Sequence, residues 1–160
     1  MTPQPGDVVL AKTNGIMGRL IRLAERIHWR RGTTYSHAAI VIEVADVVTV
    51  LQMRARGCQR TTIDQVAPGG SYVIKSCPKG VNRNKSVEYA LTRQHDEYGV
   101  ASIISIAFNL LTPYWLGLDF RKAGTLICSA LVARSWEHGG WDCPVDPFQI
   151  SPAQIDMALS

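Results

Sequence analysis

No apolar stretch of the 160-residue sequence runs on for the ~18 residues that a membrane-crossing helix needs. Nor is the chain a polyelectrolyte, with 19% charged against 46% hydrophobic residues. The first absence removes a helical membrane span, and the second removes a charge-swollen chain unable to bury enough apolar surface to order itself. Cysteine is scarce. Cys58, Cys77, Cys128 and Cys143 stand singly, without a CxxC pair or any zinc-ligand spacing, so free thiols in a reducing compartment are expected, with no metal and no cofactor. The opening MTPQPGDVVLAKTNG has neither the basic start, the apolar run nor the small-residue cleavage site of a secretory signal. A cytoplasmic location, or delivery by another route, is the expectation. Repeats, low-complexity tracts and linkers are also missing, which leaves one domain over residues 1–160, long enough to bury a core unaided.

What is present begins with basic charge: a net +4 and an isoelectric point near 9.0. Five arginines fall in residues 19–31 and more in residues 54–60. Such stretches suit contact with an anionic polymer or a membrane surface, and equally a solvated face that keeps the chain in solution. No specific nucleic-acid partner is indicated.

Along the chain, GDVVLAK predicts a short strand after the Pro5–Gly6 turn, and residues 16–28 carry apolar side chains at helical spacing between arginines. SHAAIVIEV and VVTVLQM are β-branched runs close enough to form an antiparallel hairpin. CQRTTIDQVA then leads through Pro68, Gly69 and Gly70 into SYVIKS, a third strand of the same sheet. Later the period changes: KSVEYALTRQHDEY, VASIISIAFNLL and GTLICSALVARSWEHGG read as helices, the last stopped by paired glycines. Strands early and helices late predict an α+β fold, helices packed on an antiparallel sheet.

Two residues stand out chemically. Cys128 falls in the first turn of a predicted helix, where unpaired backbone N–H groups and the helix dipole stabilise a thiolate. His37 opens the strand in YSHAAIVIE, and histidine is the side chain whose ordinary pKa suits it to take a thiol proton. Alone, each has a plainer reading, as a small core residue and as a hydrogen-bonded structural histidine.

Four stretches in order shift that balance. PGDVVLA, YSHAAIVIE, VLQMRARG and LICSALV resemble the opening strand, the histidine strand, the strand of the third polar residue and the nucleophile helix of the NlpC-type papain-like cysteine peptidases. The histidine strand precedes the cysteine helix, as in the circularly permuted, YiiX-like branch of that family, to which the lecithin retinol acyltransferase-like proteins are related. HDEYGVAS and ISPAQIDMAL resemble further junctions of the same pattern.

The resemblance implies a circularly permuted papain-like fold and a cysteine hydrolase, a peptidase or amidase acting on peptidoglycan peptides or another amide or acyl substrate through an acyl-enzyme. Cys128 would be the nucleophile, His37 the base, and Gln52 the third residue that orients the ring, in place of the commoner Glu or His. Glu43 competes for the orienting role, but six residues of strand span about 20 Å, too far for contact. The backbone N–H of Cys128 would hold the oxyanion, with Tyr35 or Tyr98 as sources of a second donor. Asp7 and Ser129 are expected to brace structure. His28, His95, His138 and the other three cysteines are expected to be spectators, and Trp115, Trp136 and Trp141 core or rim. An acyltransferase or thioesterase directed at lipid is a competing function, and a noncatalytic module on the same fold, such as a phage particle component, is another. An enzyme of the cell wall without a secretory signal would reach its substrate by lysis, a virion or a secretion system.

Overall fold

Alternation of small and β-branched residues builds the centre of a five-stranded sheet. In the computed structural model, which describes residues 2–14, 18–19, 22–23, 34–54, 56–98, 125–148 and 150–160, the sheet comprises β1 (Val8–Lys12), β2 (His37–Val44), β3 (Val48–Arg54), β4 (Gly57–Thr62) and β5 (Ser71–Lys75). Their order is β4-β3-β2-β1-β5, with every neighbouring pair antiparallel. A 3₁₀ turn, Ile63–Gln65, follows β4. Helices α1 (Arg83–Thr92), α2 (Cys128–His138) and α3 (Pro152–Ala158) come later in the chain. The α+β layout expected from the sequence is the one observed.

The predicted hairpin is β2–β3, and SYVIKS joins the same sheet as β5 but at the far edge, beside β1. Residues 57–62, read only as a lead-in, instead form an edge strand. Their polar side chains hid a strand that, among the described residues, stands at the edge of the sheet and therefore needs no continuous apolar run. Gly57 makes the turn into it: its φ is +96°, and a Cβ there would lie 2.8 Å from the Asp96 carbonyl oxygen.

The helix predicted over residues 85–98 starts earlier and stops sooner. Asn82 caps it by accepting from the Lys85 N–H at 3.1 Å. It ends at Thr92, because the backbone of Glu97–Tyr98 (β6) is drawn into a parallel pair with Thr125–Leu126 (β7). That pair leads directly into α2, so the helix predicted from Gly124 begins instead at Cys128 and ends at the paired glycines, Gly140 taking a φ of +98°. Ser151 and Gln154 close a capping box around α3, with Pro152 in its first turn. The helices read from residues 16–28 and 100–111 fall largely or wholly outside the described residues.

The sheet has two apolar faces. Leu10, Ile40, Leu51 and Met53 face α2 and enclose Trp136, which is fully buried. Val9, Ala11, Ala39, Val41 and Val50 form the other face and pack with Ile63, Val66 and Ala67. Each of the larger side chains contributes roughly 1.5–3 kcal/mol by burial. The indole N–H of Trp136 donates to the Gly6 carbonyl at 2.8 Å and pins α2 to the start of β1. No helix among the described residues is long and apolar enough to cross a membrane.

Candidate functional site

His37 is the first residue of β2 and is held there from two sides. Its neighbour Ser36 donates its backbone N–H to Ala11 O at 2.9 Å. The Ser36 hydroxyl accepts from the Thr13 N–H at 3.1 Å and from Arg22 Nη1 at 2.9 Å, while the same Arg22 atom donates to Thr13 O. One arginine of the basic segment thus serves to tie the end of β1 to the residue before His37.

Gln52 lies on β3 opposite Ala39, one diagonal step from His37 and on the same face of the sheet. The structure brings the two together: His37 Nε2 and Gln52 Oε1 are 2.8 Å apart, with the residues only 7% and 1% exposed. Burial is the main influence on the ring and outweighs the bond to Gln52, with the nearby Arg54 charge acting in the same direction. The pKa falls from 6.5 to about 4. The imidazole is therefore neutral through the neutral pH range.

Arg54, which sequence reasoning grouped only with the basic stretches, belongs to this network. Its Nε donates to Gln52 Oε1 at 3.0 Å, and its Nη2 donates to Gln65 O at 2.9 Å and Val66 O at 2.7 Å. The signal that could have found it is its position two residues after Gln52 on one strand, which puts both side chains on one face. Gln52 and Arg54 also form one wall of an open cleft of about 540 Å³, with Gln59, Arg60, Gln65 and His95 among its other lining residues.

Cys128 is the first residue of α2 and is 4% exposed. It belongs to the core on the α2 face, whereas strand alternation puts His37 and Gln52 on the other face. His37, as the first residue of β2, stands at the end of that strand. Lengths bear on this. Trp136 is bonded to Gly6 O, and the Gly6 N–H donates to Val41 O at 2.8 Å. From Trp136 back to Cys128 the helix rises about 12 Å, and from Val41 back to His37 the strand runs about 13 Å. The two lengths match, and the direction comes from β7, which leads into α2: it pairs with Glu97–Tyr98, next to Asp96, whose carbonyl accepts from the Cys58 N–H at 3.0 Å at the Met53 end of β3, the end that holds Gln52 and His37. Ile127, its N-cap, makes no side-chain cap hydrogen bond.

The remaining candidates separate cleanly. Glu43 follows a bulge in β2, is exposed and pairs with Arg60. Asp7 is a brace: almost fully buried, it accepts from the Gln4 N–H at 2.9 Å and the Cys77 N–H at 3.2 Å and pairs with Arg83 at 2.6 Å. The Ser129 hydroxyl donates to Ile150 O at 2.6 Å, joining α2 to the entry of α3. Tyr35 packs partly buried against the α2-side core; the Tyr98 side chain lies outside the described residues. His138 stacks on Tyr89 at 3.9 Å and His95 is exposed on the cleft. Trp136 is core with Trp141 edge-on at 5.3 Å, while His28 and Trp115 lie outside the described residues. Burial raises the thiols of Cys77 and Cys143, and with Asp96 nearby pushes that of Cys58 up to about 12, so these three hold their protons.

No family model matches the chain, and no curated protein does. Among solved structures, that of the metalloprotein YiiX from Escherichia coli O157:H7 is similar, with a TM-score of 0.64 at 17% identity, covering 89% of this chain and 70% of that one. A likeness at that identity shows the fold: the chain has a YiiX-like α+β fold. The donor set does not fit a metal ion at the described residues. No group of three or more His, Cys, Asp or Glu side chains converges among them, and the partners beside His37 are a neutral amide and a guanidinium, whose charge repels a cation.

Proposed function

We propose that the chain is a cysteine hydrolase that cleaves amide bonds, with peptides of peptidoglycan as its substrate class. The observation that carries the reading is the buried 2.8 Å bond between His37 Nε2 and Gln52 Oε1, set at the end of the strand that α2 covers. A histidine bonded through its far nitrogen to a buried amide oxygen is oriented to work with the near one.

Cys128 is the nucleophile and His37 the general base. Nδ1 of His37 takes the thiol proton as sulfur adds to the carbonyl carbon, and the backbone N–H of Cys128 steadies the oxyanion. Collapse of this adduct breaks the carbon–nitrogen bond. The proton passes from His37 to the leaving amine and a thioester remains. Water, deprotonated by the same ring, then adds to the thioester and releases the acid and the free thiol. Because His37 rests neutral, the ion pair forms during the reaction rather than before it, and Gln52 contributes alignment with no charge of its own.

The test is labelling with iodoacetamide across pH 5 to 9, mapped by mass spectrometry, on the wild type and His37→Ala. Selective labelling of Cys128 that falls on the order of 10²-fold or more in the variant is the expected result. The raised pKa values of the other three thiols keep the background low. Equal, slow labelling of all four cysteines sinks the enzyme reading and leaves a scaffold used for binding. Purified muropeptides and phospholipid esters, offered side by side, then decide between amidase and lipid acyl transfer.

A further inference from the structure

Two donors converge on a single atom of Gln52. Arg54 Nε reaches Oε1 at 3.0 Å and His37 Nε2 reaches it at 2.8 Å. An arginine Nε–H is never an acceptor. The Gln52 atom that meets it must therefore be the carbonyl oxygen, since the amide NH₂ turned that way would oppose N–H to N–H. A carbonyl oxygen in turn only accepts, so His37 Nε2 must carry its proton. In a neutral imidazole the lone pair then falls to Nδ1.

We infer that Arg54 is a positioning residue: by fixing which way the Gln52 amide faces, it sets the tautomer of His37 and leaves Nδ1 as the base. The inference rests on the cysteine hydrolase reading for its catalytic meaning, but not for its physical content. It also accounts for the residue at position 52. A carboxylate accepts through either oxygen and needs no help to hold a ring in one tautomer, whereas an amide has a right and a wrong face. Placed two residues along the same strand, Arg54 removes the wrong one. Its own position is fixed by the Gln65 and Val66 carbonyls, and those bonds keep the guanidinium from swinging away.

With Arg54 replaced by an apolar residue, the amide is free to turn, and its NH₂ donates to an unprotonated Nε2 as readily as its oxygen accepts from a protonated one. The ring becomes a mixture of tautomers, in part protonated on the nitrogen that should act as base.

The experiment is a long-range proton–nitrogen NMR correlation at pH 7 on protein carrying ¹⁵N-labelled histidine, which separates a protonated ring nitrogen from a bare one. Wild type shows protonated Nε2 and bare Nδ1 at His37. Arg54→Met moves both signals toward intermediate values. Arg54→Lys, which keeps a group that only donates, moves them less, and Arg54→Met combined with Gln52→Glu returns them to the wild-type pattern. The signals of His95 and His138 report whether each variant is folded, and Arg54→Lys carries the test if Arg54→Met is not. Cys128 alkylation in Arg54→Met falls by about twofold for an equal mixture of tautomers. A pure Nε2–H pattern in folded Arg54→Met, or no recovery in the double variant, overturns the assignment. A tautomer shift with no change in alkylation leaves the role of Arg54 standing and overturns the thiol reading instead.

Discussion

The two faces of the same five-stranded sheet hold together by different means. Beneath α2, Leu10, Ile40, Leu51, Met53 and Trp136 fill space without direction, and the single indole N–H finds a backbone carbonyl. On the other face the apolar set of Val9, Ala39 and Val50 gives way to His37, Gln52 and Arg54, whose bonds have direction and a fixed count of donors and acceptors. The apolar face tolerates exchange of shape at modest cost, since most of its energy scales with area. The polar file tolerates very little, because each group removed strands another. The candidate base and its partners stand out on the second face for that reason: nothing about packing requires a histidine, a glutamine and an arginine in one line, while the candidate nucleophile, Cys128, belongs to the α2 face.

Substitutions can break or sharpen this contrast. The largest effect is expected in the apolar face, where Trp136→Ala removes the biggest buried side chain and its bond to Gly6; a loss of about 3–5 kcal/mol, read from the urea midpoint, is expected. A loss below about 1 kcal/mol would mean that α2 is held by something other than this core.

The polar face comes next and shows itself through pH. His37 has a folded pKa of about 4 against 6.5 for the ordinary side chain. Between those values the unfolded chain binds the proton and the folded chain does not. The contribution is therefore complete above pH 6.5, drains as pH falls and is gone near pH 4. It amounts to something on the order of 3 kcal/mol. Comparing unfolding free energies of wild type and His37→Gln over pH 4 to 7 isolates it, and parallel curves would show that the ring is not buried as described.

Smaller still is Gln52→Leu, which leaves His37 Nε2–H and Arg54 Nε–H without their acceptor and should cost about 1–3 kcal/mol. A neutral or stabilising result would place Gln52 with the apolar face in energetic terms. At the exposed end of β2, Glu43→Ala removes only the solvent-screened pair with Arg60. It should change stability by less than about 1 kcal/mol, and by less again in high salt.

How far these features were legible in the sequence follows from their range. β1, β2 and β3 announced themselves through branched residues in runs, because period is a local property, whereas α3 was met only through the resemblance of ISPAQIDMAL to a family pattern. His37 and Gln52 were found by resemblance to a motif order, and their contact follows from a single diagonal step across paired strands. β4 was missed because an edge strand of Gln59, Arg60, Thr61 and Thr62 carries no apolar signature. The end of α1 was misread because the force that stops it, pairing of Glu97–Tyr98 with Thr125–Leu126, comes from residues far along the chain. Arg54 was read as surface charge because its acceptors, Gln65 O and Val66 O, come close only when the 3₁₀ turn folds back on β3.

By itself, then, the sequence determined the α+β class, the central strands and the candidates Cys128, His37 and Gln52, since alternation, helix period and motif order are written in neighbouring residues. Only the tertiary structure decided that the imidazole is dry and neutral, that Asp7 is a brace and not a participant, and that one arginine of a basic stretch turns inward to the amide of Gln52. Burial and hydrogen-bond partnership depend on which distant segments arrive at a side chain, and that is fixed by the sheet register and the packing above it.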